Sequence, residues 1–386
     1  MTKLLPVFLS ILLLSWGCAT NPVTGRQNFV LMSEAQELQL GQSYHKKILS
    51  EYALYPDEKL QAYISEIGHR LVANSHRANI GYKFFLLDSP EVNAFALPGG
   101  YVYITRGILA YMNSEAELAG VLGHEIGHIT ARHGVRQQSK GMLVDLFGSV
   151  AAVASGNSSV GNLSDIFGSA LMSGYGRKHE LEADRLGAVY LVNSGYSPWA
   201  MRDVIGTLKN QELFEIERAR AEGRRPKVYH GVFASHPDND KRLLGVIRAA
   251  GRGEPQPTGK PVDNNFLKRL DSLSFGASEA QGVVKGNRFM HKLLDVFIDF
   301  PQNWQVENQP ERLIAVSNKR DAVIQVGLDE VDEATPTADY LKTQFPNVRN
   351  IRPYRGVSVA GHIGISTVNS PFGSRPARVA ALRYKN

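Results

Sequence analysis

The stretch SEAELAGVLGHEIGHITARH, residues 114–133, constrains this chain more than any other part of it. Ser114 is a candidate helix N-cap, Glu117 three residues on completes a capping box, and the helical pattern runs through Gly134 or beyond. Residues four apart on a helix lie about 40° apart around its axis. His124 and His128 therefore point the same way and can place two imidazole nitrogens on one ion. Glu125 projects beside such an ion rather than onto it, where a carboxylate can take a proton from an attacking water.

Two histidines do not complete a site. A catalytic zinc takes three protein ligands and leaves one position open, so a third ligand must come from elsewhere in the chain. The nearest candidate downstream is HELEAD, His179 to Asp184, on a separate helix. Glu180 and Asp184 share a face of that helix. If Glu180 binds the ion, Asp184 lies one turn further on, able to accept the N–H of a ligand histidine and fix its tautomer. Glu182 faces away. The competing reading is a solvated acidic face among Arg177, Lys178 and Arg185, and it gives way beside His124 and His128. His133, His179, His230, His291 and His362 belong to no ligand pattern and read as structural.

At 386 residues with 43% apolar content the chain can bury two cores. Its formal charge of +6 is spread along the sequence, which gives nucleic acid binding no support. The opening MTKLLPVFLSILLLSWGC has one lysine, an apolar run from Leu4 to Leu14 and small residues before Cys18. That run is too short to span a bilayer comfortably and fits an export signal, residues 1–17. SWGC resembles a bacterial lipobox, which implies lipidation at Cys18, and Ala19 after it favours the outer membrane by the same resemblance. Residues 18–32 then read as a tether.

The main domain is expected over residues 33–250. Leu60, Ile64, Ile67 and Leu71 mark one buried helical face, and KFFLLD and VNAFALPGGYVYITRG read as strands, the second a hairpin turning at Pro98 to Gly100. Met142 to Gly174, rich in Gly, Ser and large apolar residues, reads as core helices, a flap over a cleft or a surface that touches the membrane. Another helix runs from about Lys178 to Asn193, stopped by Gly195 and Pro198. GRGEPQPTGKP breaks all periodicity, so residues 251–265 read as a linker. Alternating segments from Phe266 to Asn386 indicate a smaller β-rich domain with one helix near Ala338 to Phe345.

SEAELAGVLGHEIGHITARH, HELEADRLGA, NAFALPGGYVYITRG and SHPDNDKR together resemble the gluzincin peptidase family of the CAAX prenyl endopeptidases and HtpX-type quality-control proteases, nearest its periplasmic, BepA-like branch. The resemblance covers roughly Ser33 to Ala250. It implies a mostly helical zincin-type metalloprotease domain with a small edge-strand sheet; the β-rich domain beyond it departs from the family, and the whole chain is expected to be α+β. The resemblance implies one Zn2+ per chain on His124, His128 and Glu180, with Glu125 as base and acid. Asn93, Ala94, Phe95 and Ala96 resemble the edge strand on which such enzymes take the substrate backbone. His236 is expected near the metal, stabilising the oxyanion or binding the ion in a resting state, with Arg242 holding its loop. The helical repeats of the BepA-like branch are not seen here, so chaperone functions are not implied.

The expected protein is a metalloendopeptidase in the bacterial periplasm, lipid-anchored to the outer membrane and cleaving misfolded or unassembled envelope proteins. Its β-rich domain is expected to dock substrate or outer-membrane assembly machinery. The rivals are a binding lipoprotein with a structural or silenced metal site, and a hydrolase of cell-wall peptides.

Overall fold

The computed structural model describes residues 18–139, 175–221, 265–278, 281–309, 312–370 and 373–384. The chain divides into two compact units, with the division after Ser278.

The first unit opens with β1 (Cys18–Thr20) and β2 (Gln27–Phe29), an antiparallel pair. Their turn is held by Asn21, whose side-chain oxygen accepts from the N–H groups of Val23 at 2.8 Å and Thr24 at 3.1 Å. The expected tether is thus ordered chain. Val30 is buried, and the Leu31 N–H donates to Ser139 Oγ at 3.0 Å.

Helix α1 (Glu34–Glu51) starts at a full capping box between Ser33 and Gln36. Helix α2 (Glu58–Val72), capped by Asp57, buries Leu60, Ile64, Ile67 and Leu71, the four positions the spacing marks. Strands β3 (Lys83–Leu87), β4 (Ala94–Leu97) and β5 (Tyr101–Thr105) form a sheet in the order β3-β5-β4, with β3 parallel and β4 antiparallel to β5. The expected hairpin is present. Gly99 and Gly100 turn it with φ of +81° and +96°, a region that residues with a Cβ rarely enter. Strand β4 consequently lies at one end of the sheet.

After the short α3 (Arg106–Leu109) comes α4 (Glu115–Thr130), which carries the histidine motif and is buried along its whole length. It packs against α2, α5 (Arg177–Asn193), α6 (Trp199–Ala221) and strands β4 and β5. Its cap is half of what the sequence suggests. Ser114 accepts from the Glu117 N–H, but the Glu117 carboxylate accepts from the N–H of Asn113 at 2.8 Å.

The helix also ends before Gly134. Arg132 takes a φ of +57°, and residues 133–139 begin a new helical run. Side-chain bonds of Arg132 hold that turn: its Nε donates to Glu37 at 2.8 Å and a terminal nitrogen donates to the Met32 carbonyl at 3.1 Å. Glu37, 1% exposed, also receives Arg77 at 2.9 Å. Two guanidinium groups around one buried carboxylate tie α1 to the end of α4, because losing either partner leaves a charge without water.

Helix α5 stops where the sequence indicates, with Gly195 at φ +84°. Helix α7 (Phe266–Arg269) corrects the expected domain boundary. Phe266 is buried in the first unit's core, and Arg106 donates to the carbonyls of Ser274 at 2.8 Å and Gly276 at 2.6 Å. The β-rich unit therefore begins after Ser278, not at 266.

Among its described residues the second unit holds three antiparallel three-stranded sheets. One joins β6 (Val283–Lys285), β7 (Arg288–His291) and β8 (Val296–Asp299) in chain order. Another sets β10 (Arg312–Val316) between β9 (Gln305–Asn308) and β11 (Val323–Gly327). After α8 (Thr337–Gln344), where a helix is expected, the last joins β12 (Arg349–Arg355), β13 (Ala360–Ser370) and β14 (Gly373–Arg383). Phe289, Phe300, Leu313 and Ala315 form one small core, and Leu341, Val379 and Ala381 another. The chain is α+β, as its sequence patterns indicate.

Candidate metal centre

Helices α4 and α5 cross backbone to backbone, and small residues make that approach possible. A Cβ on Gly127 would stand 2.9 Å from the Ala183 carbonyl oxygen, and one on Gly187 would stand 2.9 Å from the His124 backbone nitrogen. We expect Gly187→Ala to destabilise the protein by about 1–3 kcal/mol through overpacking and to weaken metal binding, because α5 must move off His124. Thermal unfolding and metal titration of the variant check this; an unchanged affinity would show that the crossing does not set the site.

At this crossing His124, His128 and Glu180 converge, each offering a ligand atom within 4.8 Å of the others. The Nε2 atoms of His124 and His128 are 2.8 Å apart, and Glu180 Oε2 and Oε1 stand 3.4 Å and 3.7 Å from them respectively. Ligand atoms about 2.0–2.1 Å from a tetrahedral ion lie about 3.3 Å from one another, and these separations bracket that value. Glu180 Oε2 is also buried without a well-formed hydrogen bond. The donor set of two imidazoles and one carboxylate, with an orphaned oxygen turned inward, fits a divalent ion of the zinc type.

Asp184 stands where the sequence puts it. Its Oδ1 accepts from His124 Nδ1 at 2.8 Å, which leaves the His124 Nε2 lone pair facing the site. Burial opposes charge on His124, yet its contacts with Asp184 and Glu180 raise its pKa to about 10. His128 is held well below the ordinary histidine value by burial and by the neighbouring imidazoles His124, His133 and His179, which oppose a further positive charge. Burial also raises Glu180.

Glu125 is 3% exposed, and burial pushes its carboxyl up to about 7 against the attraction of His124, with Glu180 adding repulsion. Tyr175 stacks on His128, ring centroids 4.2 Å apart. A small cleft is lined by Ala96, Leu97 and Pro98 at the end strand and by His128 and Tyr175.

Along the candidate strand the four residues are not equivalent. The Asn93 carbonyl accepts from the Thr105 N–H at 3.0 Å and its own N–H donates to Thr105 Oγ1 at 3.1 Å, so its backbone is turned toward β5. Antiparallel pairing alternates, which turns Phe95 the same way and Ala94 and Ala96 outward. His236, Arg242, the stretch from Met142 to Gly174 and most of the expected linker lie outside the described residues.

Two expectations about this region are corrected. Glu182 does not face away: its Oε2 accepts from His133 Nε2 at 3.1 Å and from Arg136 at 3.0 Å. The hydrogen bond from His133 holds Glu182 down to about 2. His133 is not a bystander either, with its Nδ1 2.9 Å from His128 Nδ1. On a continuous helix His133 would lie about 140° around the axis from His128, and the left-handed turn at Arg132 removes that separation. Its place five residues past His128 was visible in the sequence, but the turn was not.

Residues 58–248 match the description Peptidase family M48. The chain is similar to the beta-barrel assembly-enhancing protease of Yersinia pestis, 32% identical over 267 residues, which are 67% of this chain and 53% of that protein. It is 31% identical over 258 residues to the protein of that name from Escherichia coli (strain K12), covering 64% of this chain and 51% of the relative. The mitochondrial metalloendopeptidase OMA1 of Schizosaccharomyces pombe is 31% identical over 230 residues, 58% of this chain and 64% of its own. The chain spans about half the length of the two bacterial relatives.

Proposed function

The chain belongs to peptidase family M48 through residues 58–248, and from that premise we propose that it is a zinc-dependent metalloendopeptidase that cleaves misfolded or unassembled envelope proteins. One observation carries the reading: His124, His128 and Glu180 meet at the crossing of α4 and α5 with Glu125 buried beside them.

His124, His128 and Glu180 would hold the zinc. Bound there, it supplies a Lewis acid that polarises the scissile carbonyl and makes water a better nucleophile. Glu125 takes the proton from that water as it attacks the carbonyl carbon, and returns it to the amide nitrogen as the C–N bond breaks. Asp184 keeps the His124 proton on Nδ1 throughout. The end strand aligns the substrate: an extended chain adds along its outer edge, and the cleft beside Pro98 leads the scissile bond toward His128. Within the expected quartet, Asn93 and Phe95 then support the strand rather than bond the substrate. An edge of this kind reads backbone, which suits unfolded chains of varied sequence. His236 would stabilise the oxyanion, or block the ion at rest, with Arg242 positioning its loop.

Among the described residues no helix is long and apolar enough to cross a membrane. We place the enzyme in the periplasm, lipid-anchored to the outer membrane at Cys18; the export-signal pattern and the names of the bacterial relatives support this. The β-rich unit would dock substrate or assembly machinery.

The purified chain is expected to cut an unfolded, casein-like protein, to stop when a strong zinc chelator strips the ion, and to recover with added zinc. Activity confined to short cell-wall peptides would replace this reading with the small-substrate one.

A further inference from the structure

His124 and His128 are held by different means. His124 gives its Nδ1 proton directly to Asp184. Among the described residues His128 meets another imidazole in that position, His133, at 2.9 Å between the two Nδ1 atoms. Two imidazole nitrogens at that distance need one proton between them. If His128 Nε2 offers its lone pair to an ion, its proton is on Nδ1 and is donated to His133 Nδ1. The His133 proton is then on Nε2, where Glu182 Oε2 accepts it at 3.1 Å. Arg136 pairs with the same Glu182 oxygen at 3.0 Å and keeps the carboxylate in place. His179 lies flat on the His133 ring, centroids 4.4 Å apart and planes 15° apart, which limits its rotation.

We propose that His133 and Glu182 are a positioning pair for His128, fixing its tautomer and ring orientation through a chain of hydrogen bonds as Asp184 does for His124. The inference rests on the reading of His124, His128 and Glu180 as ligands of one ion. It also gives α5 a wider role: Glu180 supplies the third ligand, and the residues at 182 and 184 orient the other two. The turn at Arg132 is the device that makes this possible, because it folds His133 back over His128. Neither His133 nor Glu182 belongs to the converging ligand set.

The test uses the full chain and zinc itself, with affinity measured by competition against a chromogenic chelator. Outer partners of ligand histidines typically change metal affinity by about 10–100-fold, and that loss is expected for His133→Phe, which keeps a stacked ring but has no nitrogen. Glu182→Leu should lose as much. Glu182→Gln, whose amide oxygen still accepts from His133 Nε2, should restore most of the affinity. The visible bands of the cobalt-substituted protein should shift in His133→Phe and Glu182→Leu and stay near wild type in Glu182→Gln. A merely structural contact would lower the thermal midpoint of the metal-free protein and leave zinc affinity and cobalt bands alone. Should both His133→Phe and Glu182→Leu bind zinc within about twofold of wild type, well short of that range, the positioning role is wrong while the metal site stands. If His133→Phe does not fold, Glu182→Leu, at a partly exposed position, decides alone. A wild-type chain that takes up no zinc overturns the metal reading and this inference with it.

Discussion

Glu125→Gln is expected to lower kcat against an unfolded protein by about 10²–10⁴-fold while one zinc per chain stays bound. Glutamine has nearly the size of glutamate and an oxygen at the same place, but it cannot accept the proton released as water attacks the carbonyl. The side chain is not among the converging ligand atoms, so the ion has no reason to leave. Stability should not fall either. Burial already disfavours the charged form of this carboxyl, and a neutral replacement removes that strain. Zinc content, thermal unfolding and steady-state proteolysis together separate the possibilities. Proteolysis at the wild-type rate in this variant would remove Glu125 from the chemistry, and loss of zinc would mean that it is a ligand and not a base.

Removing a ligand acts differently. Glu180→Ala is expected to weaken zinc binding by about 10²–10³-fold, since a four-ligand zinc site commonly binds with about 10–16 kcal/mol shared among its donors. Activity at micromolar zinc should vanish and return in part at higher zinc, a recovery that Glu125→Gln should not show. The carboxylate oxygens of Glu180 stand 3.4 Å and 3.7 Å from the Nε2 atoms of His124 and His128, close enough to share an ion with them. Isothermal titration with zinc checks the affinity. Wild-type affinity in Glu180→Ala would mean that the third donor lies elsewhere, His236 being the first alternative to try.

Much of this arrangement was legible in the sequence because helical periodicity is a local property. The faces of α2 and α4, the stop at Gly195 and the β4–β5 hairpin follow from spacing, glycine and proline. A place for Asp184 beside a ligand histidine follows from counting one helical turn beyond Glu180, and the structure shows that histidine to be His124. What failed depends on contacts across long stretches of chain. Arg132 takes up a left-handed turn because Glu37 and the Met32 carbonyl, about a hundred residues earlier, hold its guanidinium. Glu182 turns inward because that turn brings His133 to meet it. Phe266 joins the first unit because its core has a place for a large ring, which no reading of the flanking residues reveals. Likewise Asn21 converts an expected tether into a hairpin through its own side-chain oxygen.

X-ray absorption at the zinc edge of the purified chain tests the central claim most directly. Two imidazole nitrogens and one carboxylate oxygen at about 2.0–2.2 Å are expected around a single ion, with the carboxylate shell lost in Glu180→Ala. A chain that hydrolyses protein without zinc, or whose zinc is bound by residues other than His124, His128 and Glu180, would contradict it.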